Sequence, residues 1–230
     1  MSTLIIALDR PDAGQALELV DRLGEDADFY KVGAELFTAA GPDVVAALRD
    51  RGKRVFLDLK YHDIPNTVAA AVRSATALGV DLLTVHASGG SAMLEAAAQA
   101  ARPAGTVVVA VTLLTSLSNA DVEAVWNRPV HALRGEVERL TELALAAGLN
   151  GVVASPLEVE SLKRRHGADC VVVTPGVRPL GAARDDQTRT ATAGDAARAG
   201  ADYLVIGRPV HASPDPVAAL RALREEVAVA

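Results

Sequence analysis

Short unbroken runs of Val, Ile and Leu recur along this chain, each followed by a longer stretch in which apolar residues return every three or four positions. The runs span Leu4 to Asp9, Phe29 to Gly33, Val55 to Lys60, Leu82 to Ala87, Val107 to Leu113, Gly151 to Ser155, Val171 to Gly176 and Tyr203 to Gly207. Being short and rich in β-branched residues, they predict strands buried on both faces. The stretches between them, Gly14 to Leu23, Asp43 to Arg51, Pro65 to Leu78, Ser91 to Ala101, His131 to Ala147, Leu157 to Arg165 and Thr192 to Ala199, predict helices, and Asp215 to Val227 closes the chain with another. Strands alternating with helices imply a parallel sheet covered on its outer side. Eight such units in 230 residues fit an α/β fold, a single-domain (β/α)8 TIM barrel over residues 1–230. A doubly wound open sheet is the rival, but no Gly-x-Gly-x-x-Gly follows the first strand. The connection from Thr115 to Pro129 reads as irregular and long enough to carry function.

Composition narrows what such a barrel could do. A net charge of −6 and a pI near 5.4 argue against a nucleic-acid surface. One Trp, three Tyr and three Phe leave little to stack on bases. The single cysteine, Cys170, precedes a valine run and reads as a buried thiol, so no disulfide framework or thiolate metal site is expected. The N-terminus lacks a basic start and a small-residue cleavage site, and no apolar run reaches membrane-spanning length. A cytoplasmic protein with no membrane partner is the expectation.

In a barrel of this kind the active site lies at the C-terminal ends of the strands. Those ends carry Asp9, Lys31, Asp58 with Lys60, His86, Thr112 through Ser116, Ser155, Thr174 through Arg178, and Gly207 with Arg208. Strand alternation sends Asp58 and Lys60 to one side together. The lysines are informative, since only Lys31, Lys53, Lys60 and Lys163 stand among 23 basic residues. Lys53 and Lys163 fall at polar helix ends and read as solvated; Lys31 and Lys60 fall at strand ends. A lysine can give up its proton near neutral pH and a guanidinium cannot, so the choice hints at proton transfer. A purely structural charge network of Asp9, Lys31, Asp58 and Lys60 accounts for the same residues. His86 reads as a rim histidine, and His62 and His131 carry no assigned role. Gly207-Arg208, after the eighth strand, suits a phosphate: glycine admits a backbone amide close to the oxygens and arginine offers a two-pronged donor. A turn followed by a surface charge accounts for the same pair.

The stretch Asp58-Leu59-Lys60-Tyr61-His62-Asp63-Ile64-Pro65-Asn66-Thr67 resembles the signature of the orotidine 5′-monophosphate decarboxylase family. Further matches follow in order: Ala7-Leu8-Asp9, Tyr30-Lys31-Val32-Gly33, Val85-His86-Ala87-Ser88-Gly89-Gly90, Leu114-Thr115-Ser116, Thr174 to Pro179, Asp186-Gln187-Thr188-Arg189 and Val205 to Pro209. One departure is Ala193, where the family usually has proline; it bears on helix initiation. The resemblance implies a homodimer with shared active sites that converts orotidine 5′-monophosphate to UMP and CO2 with no metal and no organic cofactor. It implies Lys60 as proton donor to C6, flanked by Asp58 and by Asp63 of the other subunit, with Lys31 completing the array. It implies Asp9 and Lys31 on the ribose hydroxyls, Thr67 reaching the ribose across the interface and Ile64 beside it. Thr115 and Ser116 would face the pyrimidine; Arg178, Gln187, Gly207 and Arg208 would surround the phosphate. Related barrels that work through a metal-bound enediolate share the Asp-x-Lys-x-x-Asp core, and the Ile64 to Thr67 extension and the Thr115-Ser116 pair speak for the nucleotide enzyme. A phosphate-binding barrel without turnover is the non-enzymatic alternative.

Overall fold

The computed structural model describes residues 2–177 and 191–230. Its first half runs β1 (Thr3–Ala7), α1 (Ala13–Leu23), β2 (Phe29–Gly33), α2 (Ala34–Ala40), α3 (Asp43–Asp50), β3 (Arg54–Tyr61), α4 (Pro65–Ala77), β4 (Leu82–His86), α5 (Ser91–Ala101) and β5 (Val107–Val111). It continues with α6 (Asn119–Trp126), α7 (Leu133–Ala146), β6 (Gly151–Val153), α8 (Pro156–His166), β7 (Val171–Thr174), α9 (Ala193–Arg198), β8 (Tyr203–Ile206), α10 (Arg208–His211) and α11 (Pro216–Ala228). Every strand pairs in parallel with its neighbours in sequence, and β1 also pairs with β8, so the sheet closes into the expected eight-stranded barrel. Among the described residues no helix is long and apolar enough to cross a membrane.

Closure gives each strand an inside and an outside, and the period-two alternation sorts its residues between them. Ile5, Ala7, Phe29, Phe56, Leu82, Val109, Val173 and Val205 form one buried cluster inside the barrel. The intervening residues, among them Ile6, Val32, Leu57, Leu83, Val108, Val172 and Leu204, join a larger cluster under the helices. Two positions beyond each inner apolar residue the same face continues upward. Phe29 leads to Lys31, Phe56 to Asp58, Leu82 to Thr84 and Ala7 to Asp9, so on this side of the barrel a polar layer rests on an apolar one, whereas Val109 leads to Val111.

The structure adds three helices that periodicity did not reveal. The seven-residue α2 has Leu36 as its one buried residue, too little for a pattern. The connection expected to be irregular contains α6, started by a reciprocal cap in which Ser118 and Asp121 each bond the other's backbone amide. One-turn α10 follows Gly207 directly. The helix expected from His131 begins at Leu133, and the strands end at Ala7, Val153 and Ile206, leaving Asp9, Ser155 and Gly207 in the connections. Thr192 starts α9 by accepting from the Asp195 amide at 3.0 Å, so Ala193 in place of proline leaves the start intact. Cys170 is buried as expected, and burial pushes its thiol up to about 11.

Phe29 is the anchor of the barrel's lower end: it is 2% exposed, meets Tyr203 edge-on at 5.8 Å, and lies under the Arg54 guanidinium at 4.4 Å. Phe29→Ala is expected to cost about 3–5 kcal/mol of unfolding free energy, read from a denaturant titration. A loss below about 1 kcal/mol would mean that the inner layer repacks freely.

Candidate active site

A cavity of about 320 Å3 opens at the C-terminal ends of the strands. Its floor is apolar, built from Phe56, Val111, Val153, Val173 and Val205. One wall holds Asp9, Lys31, Asp58 and Lys60; the loop after β5 brings Leu113 to Ser116, and the far side holds Pro175, Gly176, Gly207 and Arg208. The volume suits a small ligand, and the combination of an apolar base with a few convergent polar groups is that of a binding site.

The four charges form an alternating chain. The Lys60 ammonium lies 2.9 Å from each oxygen of Asp58. Lys31 stands 3.7 Å from the same carboxylate and 3.0 Å from Asp9. Asp58 and Lys31 side chains are each 12% exposed, whereas Lys60 is 36% and Asp9 50% exposed. Burial by itself would push the Asp58 carboxyl upward; the Lys31 and Lys60 ammoniums, with hydrogen bonds from Lys60 and Thr84, outweigh it and hold the group below its ordinary 3.8.

Asp58 and Lys60 meet as expected, but plain alternation is not the reason. Between the pairs Leu57↔Leu83 and Tyr61↔Val85, three residues of β3 stand opposite the single residue Thr84 of β4. The strand bulges there, and Lys60 takes a φ of 52°, in the left-handed region where a long side chain is uncommon. Thr84 fills the gap: it accepts from the Lys60 amide at 2.9 Å and lies 3.0 Å from an Asp58 oxygen. Its place two residues past Leu82 on an inward face was a signal that sequence reading passed over.

Gly33 clears room for the array. A Cβ on it would stand 2.9 Å from the Lys31 ammonium. The other two lysines are structural ties rather than solvated charges: Lys53 bonds the carbonyls of Gly24 and Ala27, and Lys163 bonds Asp202 and the Cys170 carbonyl. Both carry their charge to the ends of buried backbone, where a compact ammonium can satisfy two oxygens at once. His86 lies beside His62, ring centroids 5.4 Å apart, and burial with the His62 and Lys60 charges holds it below the ordinary histidine value.

The remaining expected residues divide. Thr115, Ser116, Gly207 and Arg208 line the cavity. Asp63, Ile64 and Thr67 do not; Asp63 and Ile64 lie in the turn between β3 and α4 and Thr67 in the first turn of α4, within an exposed run from His62 to Thr67. Asp63 accepts from the Ile64 amide at 2.6 Å and makes no ion pair with Lys60 among the described residues. The Ile64 side chain is 67% exposed. Arg178 and Gln187 lie outside the described residues.

A family model described as orotidine 5′-phosphate decarboxylase / HUMPS family matches residues 2–223. A protein of Moorella thermoacetica named orotidine 5′-phosphate decarboxylase is 52% identical over 97% of this chain and 91% of its own length. One of Synechocystis with the same name is 48% identical over 98% of each. The crystal structure of orotidine 5′-phosphate decarboxylase from Lactobacillus acidophilus superposes with a TM-score of 0.87 at 38% identity, over 99% of each chain.

Gly33→Ala is expected to fold, with unfolding free energy changed by less than about 1 kcal/mol, because only a flexible side-chain tip must give way. The displaced Lys31 ammonium should leave hydrogen-bonding reach of Asp9 in a crystal structure of the variant. An unmoved Lys31 would show that the glycine is not what clears its path.

Proposed function

The chain belongs to the orotidine 5′-phosphate decarboxylase / HUMPS family, and from that premise we propose that it converts orotidine 5′-monophosphate to UMP and CO2 with Lys60 as the proton donor. The observation that carries the reading is the Lys60 ammonium held by both Asp58 oxygens at 2.9 Å, at the edge of an apolar floor. When the C6–carboxyl bond breaks, CO2 departs and the electron pair stays on C6 with little delocalisation. An ammonium beside that carbon stabilises the developing charge and then delivers its proton, leaving a neutral amine. The apolar floor keeps water from screening the interaction, which is worth more in such surroundings than in bulk.

The family resemblance supports roles for the other residues. Asp58 faces the carboxylate that leaves, and Lys31 with Asp9 meets the ribose hydroxyls. Thr115 and Ser116 face the pyrimidine, and Arg208 grips the phosphate beside the Gly207 amide, with Arg178 and Gln187 as expected partners. A bound dianion far from the reacting carbon supplies binding energy that can hold the base against the lysines. No step requires a metal or organic cofactor, and the reaction belongs to pyrimidine biosynthesis in the cytoplasm.

The active form is read as a homodimer. Asp63, Ile64 and Thr67 lie on an exposed lip away from their own chain's cavity, and Ile64 offers an apolar side chain to a partner. A two-fold axis beside this lip would present Asp63 and Thr67 to the neighbour's Lys60 and ribose.

Loss of orotidine 5′-monophosphate absorbance, followed with purified protein in excess chelator, tests the activity; absence of turnover would overturn it. In the same assay Lys60→Arg should lose nearly all turnover and still bind UMP, because a guanidinium cannot release a proton near neutral pH. Activity within about tenfold of the parent enzyme would remove Lys60 from the donor role. For the shared site, inactive Lys60→Ala and Asp63→Ala chains are unfolded and refolded together. Random pairing gives mixed dimers with one intact site, and about a quarter of parental activity should return. Verified mixed dimers without activity would place Asp63 within its own chain's site.

A further inference from the structure

Thr84 belongs to no part of the cavity lining and is fully buried, yet its hydroxyl touches both halves of the catalytic pair. The chemistry of the three groups fixes the direction of each hydrogen bond. The Lys60 amide can only donate, so the Thr84 oxygen accepts from it at 2.9 Å. An ionised Asp58 can only accept, so the single hydroxyl proton goes to its carboxylate at 3.0 Å. One side chain therefore holds the backbone of the lysine and the carboxylate of its partner in fixed relation. It does so where the ladder fails: Asp58, Leu59 and Lys60 stand opposite Thr84 alone, and Lys60 sits at a φ of 52°. A left-handed, non-glycine residue persists only when its surroundings over-determine it.

We infer that Thr84 is a positioning residue for the decarboxylation, its hydroxyl clamping the bulged Lys60 backbone and the Asp58 carboxylate so that the ammonium points into the cavity. The inference rests on the decarboxylase reading. Without the hydroxyl the Lys60 amide would be buried and unpaired, and β3 would relax toward an ordinary ladder that re-aims the lysine.

Thr84→Val keeps shape and removes the hydroxyl; Thr84→Ser keeps the hydroxyl and removes the methyl. Both are assayed on orotidine 5′-monophosphate beside the parent enzyme, whose own turnover tests the underlying reading separately. The valine variant is expected to lose about thirtyfold or more in kcat, with KM within about threefold, since the defect lies in transition-state geometry rather than substrate binding. The serine variant should recover kcat to within about threefold of the parent. A crystal structure of the valine variant should show Lys60 at negative φ. Valine and serine variants with equal kcat, a loss confined to KM, or Lys60 still at positive φ with both Asp58 contacts would each overturn the inference. If the valine form does not fold, Thr84→Ala takes its place, with the same outcomes required. Failure of both to fold, while the serine form folds and works, would make the hydroxyl a folding device and overturn the inference as well.

Discussion

Asp58 holds two ammoniums at the edge of an apolar barrel interior: Lys60 lies 2.9 Å from both its oxygens, and Lys31, tied also to Asp9 at 3.0 Å, stands 3.7 Å from it. Without it the two like charges would repel, Lys60 would lose the carboxylate that offsets its desolvation, and Lys31 would keep only Asp9. Removing one member of a buried ion pair leaves an unmatched charge at a cost of about 3–5 kcal/mol. The lower end applies here, because Lys60 is 36% exposed. Asp58 is therefore the residue on which the charged wall of the cavity is centred. The chain Asp9, Lys31, Asp58, Lys60 is neutral as a whole, so a phosphorylated ligand must find its countercharge elsewhere. Arg208, after β8, lines the same cavity.

The same carboxylate depends on the barrel beneath it. Phe56 and Asp58 share one face of β3, and Phe29 and Lys31 share one face of β2, so packing the apolar layer sets the height of the charged one. Side chains in a close-packed interior cannot drift far, and ion pairs at 2.9 and 3.0 Å inherit that rigidity. The lip formed by the β3–α4 turn and the first turn of α4 has the opposite character. Its residues from His62 to Thr67 are exposed, and Ile64 makes poor use of its apolar surface in a lone chain. The rigid wall of the cavity is thus built within the barrel, and the exposed lip stands apart from it.

Several features were legible in the residues themselves. Unbroken Val and Ile runs declare strands buried on both faces, and their alternation with amphipathic stretches leaves a parallel barrel as the economical solution. Polar residues placed just past those runs mark the rim, and lysine in place of arginine at Lys31 and Lys60 puts there a cation that is able to release its proton. These properties depend on local pattern and on the chemistry of single side chains, which a sequence carries in full. Tertiary structure decided the rest. The bulge at Lys60 exists because β3 must match β4 across three residues against one, a relation between segments far apart in the chain. Thr84 gains its meaning only from that mismatch. The short helices α2, α6 and α10 are too brief for periodicity to reveal; α6 is started by its cap, while α2 and α10 have no side-chain cap and stand on tertiary contacts. Lys53 and Lys163 look solvated until folding brings distant carbonyls and a carboxylate to them. Asp63 is three residues from Lys60 in sequence, yet the turn after β3 carries it outside the cavity, because what a side chain can reach is fixed by where the backbone turns.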